Sequence, residues 1–165
     1  MNNSYLVNQD SGRKTFITPR AIIEALGRFD CDPATPPQMP WRTADVMYTP
    51  EDDGLAQPWR GRVWLNPPFG KDAIPFLARM VEHVKNGGSG IVLLFARTDN
   101  KAWHEFIFPH AKGIFFMRKR IRFCGLDGVA MSSSPMPSAL VAFTWQDVDA
   151  LQRFSESNEG HLVTL

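Results

Sequence analysis

A chain of 165 residues is long enough to bury one substantial core and too short to carry catalytic and recognition domains side by side. Its 18 basic and 17 acidic residues leave a formal net charge of +1, which excludes binding of nucleic acid through a global positive field and leaves only a local patch for that task. With 44% hydrophobic and 12% aromatic residues and no apolar run of bilayer-spanning length, the composition is that of a globular protein and excludes helical membrane spans.

Residues 1–14 are polar and aperiodic and read as a mobile arm, leaving 15–165 as a single domain. Arg13 and Lys14 in that arm are available either to a phosphate or to solvent. The opening M-N-N-S-Y-L-V-N-Q-D lacks the charged-then-apolar pattern of a signal peptide, so the expected location is the cytoplasm. A helix follows over Ala21–Leu26, with Thr18 as its N-cap, Pro19 at the first helical position, Gly27 as its stop and Ile22, Ile23 and Leu26 as its apolar face. Phe29 and Cys31 then alternate with Asp30 and Asp32, predicting a short strand that ends on an acid and runs into the turn Pro33-Ala34-Thr35-Pro36-Pro37. An acid in that place serves a hydroxyl pair, an amine, an Asx turn or a helix cap equally well. Ala44–Tyr48 predicts a brief strand. Thr49–Leu55 predicts a short helix or capped turn, where Asp52 and Asp53 are either cofactor contacts or turn acids.

The informative stretch is Arg62–Gly70, R-V-W-L-N-P-P-F-G. Val63, Trp64 and Leu65 have the content of a buried strand, and Pro67 and Pro68, with fixed φ and no N–H to donate, end it in a rigid extended turn. That turn holds Asn66 at a strand's carboxyl end, the edge at which open α/β sheets bind ligands. An amine conjugated to a heterocycle is a poor nucleophile because its lone pair is delocalised. Two acceptors, the Asn66 side-chain oxygen and the Pro67 carbonyl, would draw the two amino hydrogens out of plane and free that pair, with Phe69 stacking on the base. A strand-terminating turn with no chemical role uses the same residue types.

Asp72–Lys85 carries Ile74, Phe76, Leu77, Met80, Val81 and Val84 at helical spacing and closes on Asn86-Gly87-Gly88. These glycines precede a strand, so they form a connection and not a phosphate cradle. Gly90–Ala96 is a continuous apolar run of the kind found in central parallel strands, and Arg97 to Asn100 follow on the same edge as Asn66. Asp99 or Asn100 caps a helix marked by Trp103, Phe106 and Ile107, a role that competes with a functional Arg97 or Asp99. His104 and His110 have no acidic or Cys partner at ligand spacing, and Cys31 and Cys124 form no C-x-x-C, so no metal is expected and both thiols read as reduced. Gly113–Met117 predicts a strand. Arg118–Phe123 alternates basic with apolar residues, so Arg118, Lys119, Arg120 and Arg122 are candidates either for phosphates or for a solvated basic strand. Gly125–Pro137 is long enough for a substrate-facing lid, Ser138–Thr144 predicts a last strand, and Asp147–Phe154 a closing helix before an uninformative tail.

Strands separated by helices, with apolar runs suited to burial on both faces, indicate a three-layer α/β sheet. The words T-P-R, F-D-C-D-P-A, W-R-G-R-V-W-L-N-P-P-F-G, L-L-F-A-R-T-D, W-H-E, F-C-G and P-S-A-L-V-A-F occur in this order. Together they resemble the phage and prophage DNA N-6-adenine-methyltransferases from about Thr18 to Phe143. The resemblance implies a Rossmann-like S-adenosylmethionine-dependent methyltransferase fold of reduced size. It also implies a DNA substrate whose adenine is flipped out or single-stranded, and action in the cytoplasm of a bacterial or phage-infected cell. Asn66, Pro67, Pro68 and Phe69 would be catalytic, with Asn66 and Pro67 polarising the amine and Phe69 against the base. Thr18, Pro19, Asp32, Pro33, Ala34 and Asn66 would hold S-adenosylmethionine, and Arg97, Arg118, Lys119, Arg120 and Arg122 would meet nucleic acid.

Two departures from the wider superfamily stand out. The usual Asp-Pro-Phe-x-Gly-x-Gly loop is replaced by Asp32-Pro33-Ala34-Thr35-Pro36-Pro37, which leaves open whether Asp32 meets the methionine amine or the ribose hydroxyls. The short interval from Asp32 to Asn66 leaves target reading to the region after Arg118 or to a partner. Other readings of the same residues are transfer to an RNA base or a protein glutamine, and a catalytically silent nucleic-acid-binding protein on this scaffold.

Overall fold

A computed structural model of the chain describes residues 16–165; the arm expected over 1–14 lies outside the described residues. Seven strands form one sheet: β1 (Cys31–Asp32), β2 (Val46–Met47), β3 (Arg62–Leu65), β4 (Ser89–Phe95), β5 (Gly113–Met117), β6 (Ser138–Ala142) and β7 (Gly160–Thr164), in the order β2-β1-β3-β4-β6-β5-β7. β2, β1, β3 and β4 run parallel, while β6 is antiparallel to both β4 and β5, and β7 is antiparallel to β5. The sheet is thus mixed.

Side chains alternate across it as a period of two requires. Trp64, Ile91, Leu93, Phe115, Leu140 and Ala142 point to one face, against α1 (Arg20–Leu26) and α3 (Trp145–Ser155). Val63, Leu65, Val92, Leu94, Ala139 and Val141 point to the other, against α2 (Ala73–Lys85) and the helical turn Trp103–Ile107. Helices therefore cover both faces, which explains why the strands read as continuous apolar runs.

At the amino edge a buried ion pair ties α3 to the sheet. The fully buried Asp147 carboxylate accepts from Arg62 Nε at 2.7 Å, from the Gly90 N–H at 2.8 Å and from the Thr144 hydroxyl at 2.7 Å. Thr144 in turn caps α3 by accepting the Asp147 N–H at 3.3 Å.

Four expectations are corrected. α1 begins at Arg20, with Pro19 in the capping position at φ −53° and ψ 136° and no side-chain cap, so Thr18 is not the N-cap. The strand expected over Phe29–Asp32 shrinks to Cys31–Asp32, because the Asp30 carboxylate turns aside to accept the Arg62 N–H at 2.7 Å. Residues 118–123 form no strand; Ile121 and Phe123 are buried between exposed Arg120 and Arg122, but the backbone answers to Ser134 and Met131 and not to a ladder. The tail contains β7, an edge strand whose five residues are mostly exposed, which removes the alternation that would have revealed it.

Candidate active site

From β1 the chain turns outward to β2, whereas from β3 it crosses the other way to β4, so the strand order reverses between the carboxyl ends of β1 and β3. Such a reversal opens a crevice where ligands bind. A cavity of about 520 Å³ lies there, within the usual range for a small-molecule site, and its wall includes Thr18, Asp32, Ala34, Asn66 and Pro67. A second depression of about 460 Å³, around Trp59, Arg79 and His83, contains none of the candidate residues.

Asn66 follows the last residue of β3. Its Nδ2 donates to the Phe16 carbonyl at 2.7 Å and reaches Thr18 Oγ1 at 3.3 Å. A carbonyl can only accept, so these neighbours fix which end of the amide is nitrogen. Oδ1 is left buried and without a partner among the described residues. Leaving a buried acceptor unmade costs about 1–3 kcal/mol, a penalty that a ligand donor would remove. The anchoring segment is itself clamped, since Ile17 and Cys124 exchange backbone hydrogen bonds at 3.2 and 2.8 Å.

Asp32, at the end of β1, is 3% exposed. Its Oδ1 accepts the Ala34 N–H at 3.0 Å, and its Oδ2 accepts from the buried Thr43 hydroxyl. Burial pushes the carboxyl up to about 6, against the opposing pull of those donors. The Asx turn that was one reading of this acid is thus present. It also accounts for the missing glycines, because none of residues 33–37 takes a left-handed backbone conformation. No cation faces this carboxylate among the described residues, so the cavity wall carries a buried acid suited to a cationic ligand.

Four aromatic rings gather beside Asn66. Phe69 stacks on Phe95 with centroids 4.0 Å apart and planes 7° from parallel, Phe16 meets Phe69 edge-on at 4.9 Å, and Phe123 meets Phe16 at 5.2 Å. One face of Phe69 is therefore already covered.

The cavity wall brings together Thr18, Asp32, Ala34, Asn66, Pro67, Pro68 and Phe69 of the sequence candidates. Pro19 and Pro33 adjoin it without lining it; Pro33 instead presents its carbonyl to Gly54, where a Cβ would lie 1.9 Å away. Arg97 is exposed beyond the carboxyl end of β4, and its side chain has no ion-pair or hydrogen-bond partner among the described residues. Arg118 pairs with Glu159 at 3.2 Å and Lys119 pairs with the same carboxylate, which is held below its usual range by Lys119 and Arg118. Arg120 donates to the Ser134 and Pro135 carbonyls and Arg122 to the Met131 carbonyl at 3.1 Å, so both guanidinium groups are turned onto the chain. Asp52 caps its own turn by accepting from the Thr49 N–H and hydroxyl at 2.8 and 2.9 Å, and Asn100 rather than Asp99 accepts the Trp103 N–H. The 125–137 segment folds back, Gly125 bonding to Val129 and Met131 to Phe123, and sends Leu126 into the cavity wall.

Among the wall residues not foreseen are three that contribute polar groups. Thr43 reaches Asp32 across the β1–β2 connection, and nothing local marks it. Phe16 offers its backbone carbonyl to Asn66, which no side-chain pattern can signal. Glu51 lies just past β2 on the same edge, where only strand order makes an acid meaningful. Both cysteines are free and buried, and burial pushes the Cys31 thiol up to about 11. No group of three His, Cys, Asp or Glu residues able to hold a metal occurs among the described residues, and no described helix is long and apolar enough to cross a membrane.

Fold and site define a class: a mixed α/β protein with a crevice at the reversal of strand order, walled by an Asn-Pro-Pro-Phe turn and a buried acid. A family model described as DNA N-6-adenine-methyltransferase (Dam) matches residues 7–163, and the chain belongs to that family. A DNA N-6-adenine-methyltransferase of Haemophilus phage HP1 (strain HP1c1) is 29% identical over 100 residues, which cover 59% of this chain. The match spans 57% of that relative's length. No solved structure matches the chain.

Proposed function

We propose that this chain is a DNA adenine N6-methyltransferase that takes its methyl group from S-adenosylmethionine, on a reduced Rossmann-like fold formed by a single domain over 15–165. The observation that supports the reading is the Asn66 amide, whose nitrogen is held by Phe16 and Thr18 so that its oxygen is a buried acceptor, unpaired among the described residues, in a residue lining the cavity. Family membership and the name of the phage relative support the same reaction.

The residues present fit the cofactor. When bound, S-adenosylmethionine supplies a methyl group on a cationic sulfur, already activated for transfer. Asp32 provides the negative charge that a cationic ligand needs, and Glu51 provides a second, exposed carboxylate for ribose hydroxyls, so Asp32 is assigned to the methionine amine. Thr18 orients Asn66, while Ala34 keeps the Asp32 carboxylate in place through its N–H. Asn66 Oδ1 and the Pro67 carbonyl each accept one amino hydrogen of adenine, and the loss of conjugation turns the nitrogen lone pair towards the donor. Pro68 stiffens the turn that keeps these two acceptors together. A base within a duplex cannot enter the cavity, so the adenine is flipped out or single-stranded. Arg97 meets phosphate first, and Arg118, Lys119, Arg120 and Arg122 complete the positive surface where phosphate displaces their present partners. The setting is the cytoplasm of a bacterial or phage-infected cell.

The test is incubation of purified protein with labelled S-adenosylmethionine and unmethylated DNA, with RNA and a glutamine-bearing protein as competing acceptors. Digestion to nucleosides and mass identification should give N6-methyladenosine in its deoxy form. Absence of that nucleoside, with the cofactor intact, counts against the reading, and no calorimetric heat with S-adenosylmethionine alongside salt-sensitive DNA binding would favour the silent binder.

A further inference from the structure

We propose that Phe95 is a positioning residue for the target base: it backs Phe69 so that adenine is presented on a plate of two stacked rings. This rests on the methyltransferase reading above. The two rings have different supports. Phe69 sits in the irregular turn after Pro67 and Pro68, just before Gly70 at φ +79°. Phe95 ends β4, paired with Ser138 of β6, and its carbonyl accepts both the Trp103 indole N–H at 3.1 Å and the Arg97 N–H at 2.8 Å. The ring on the turn lines the cavity, and the ring on the sheet does not.

The spacing decides where a base can go. At 4.0 Å and 7° the two rings are already in contact, whereas a base slotted between them would need about 7 Å, two contact distances. Adenine therefore takes the cavity face of Phe69, the side of Asn66 and Pro67. Phe16, edge-on to Phe69 at 4.9 Å and to Phe95 at 6.0 Å, and Phe123, at 6.4 Å from each, brace the stack from its rim. A turn residue stacked on a ring fixed in the sheet has its plane set by the sheet, and the plane of Phe69 sets the angle at which the amino group meets its two acceptors. Small errors in that angle lower the rate of transfer more than they weaken binding.

The experiment compares Phe95→Met, which keeps the volume without a flat face, with Phe95→Tyr, which keeps the face. Readouts are kcat and KM for methyl transfer into unmethylated DNA, the calorimetric Kd for S-adenosylmethionine, and Tm. Phe95→Met should lower kcat about three- to tenfold, the worth of an aromatic pair, with cofactor Kd within about twofold of the wild type. Phe95→Tyr should restore kcat. If Met and Tyr variants have equal kcat, or if Phe95→Met is faster than the wild type because the ring had occupied the base's seat, the inference is overturned. A wild-type protein that transfers no methyl group refutes instead the functional reading on which it rests.

Discussion

The two edges of the sheet both bury polar groups, and they treat them in opposite ways. At the amino edge Asp147 is saturated: a guanidinium, a backbone N–H and a hydroxyl all donate to it within 2.8 Å. Its partner Arg62 also donates through Nη1 to the Leu26 and Arg28 carbonyls and lies over the Phe29 ring at 4.3 Å, although its Nη2 is buried without a hydrogen-bond partner among the described residues. At the carboxyl edge Asn66 has its nitrogen satisfied and its oxygen left unpaired, and Asp32 is buried with donors but no cation, among the described residues. Saturation serves stability, since every partner is inside the chain. At the carboxyl edge the unpaired oxygen and the acid without a cation belong to residues that line a cavity, so a ligand can complete them.

The largest test of this contrast is at the amino edge. Asp147→Ala leaves the Arg62 charge buried without its partner, and should lower the urea unfolding free energy by about 3–5 kcal/mol while methyl transfer per folded molecule is kept. A loss below about 1 kcal/mol would mean that the pair is no better than a surface one. Asn66→Ala, at the other edge, should do the reverse. Methyl transfer into DNA should fall by about 10²–10³-fold, the usual effect of deleting one preorganised electrostatic group, with about 1 kcal/mol lost in unfolding as the hydrogen bond from Asn66 Nδ2 to the Phe16 carbonyl goes.

Asp32 gives a prediction whose two halves have opposite signs. Burial raises its carboxyl to about 6 in the folded protein against an ordinary value of 3.8, so between those values the folded chain holds a proton that the unfolded chain has released. The contribution to stability is fully present below about pH 4 and is lost as pH rises through about 6. Asp32→Asn should therefore stabilise the ligand-free protein at pH 7 by about 1–3 kcal/mol and flatten this part of its pH profile, measured by thermal unfolding. Cofactor affinity should move the other way. It should weaken as pH falls below about 6, and drop about tenfold in Asp32→Asn at neutral pH, because a neutral side chain cannot pair with a cationic ligand. Equal cofactor affinity in the variant would remove Asp32 from the site.

The smallest effect expected is on the surface proposed to meet DNA. Arg97→Ala should reduce the slope of log affinity against log salt by about one, as one phosphate contact is lost. An unchanged slope would place the DNA elsewhere on the protein.

How far the chain could be read in advance differs by element. β3, β4, β5, β6, α2 and α3 were legible because apolar spacing reports burial: the strands are apolar throughout where helices cover both sheet faces, and α2 and α3 are apolar along the one face that packs on the sheet. β7 was not, since an exposed edge strand carries no such signal. Antiparallel insertion of β6 between β4 and β5 was also unforeseen, because a continuous apolar strand looks the same in either direction. Arg118–Phe123 alternates in sequence like a strand, but its basic side chains found Glu159 and loop carbonyls within the chain.

The sequence by itself determined the rigid Asn66-Pro67-Pro68 turn and its place at the end of a strand, because proline's fixed φ and missing N–H act wherever the chain goes. It likewise placed an acid at the end of β1. Tertiary structure alone decided that Phe16 would take the Asn66 nitrogen, that Thr43 would reach Asp32, and that Phe95 would lie flat against Phe69. Those contacts join residues distant along the chain, and no local pattern encodes which backbone oxygen or which ring will arrive beside a given side chain.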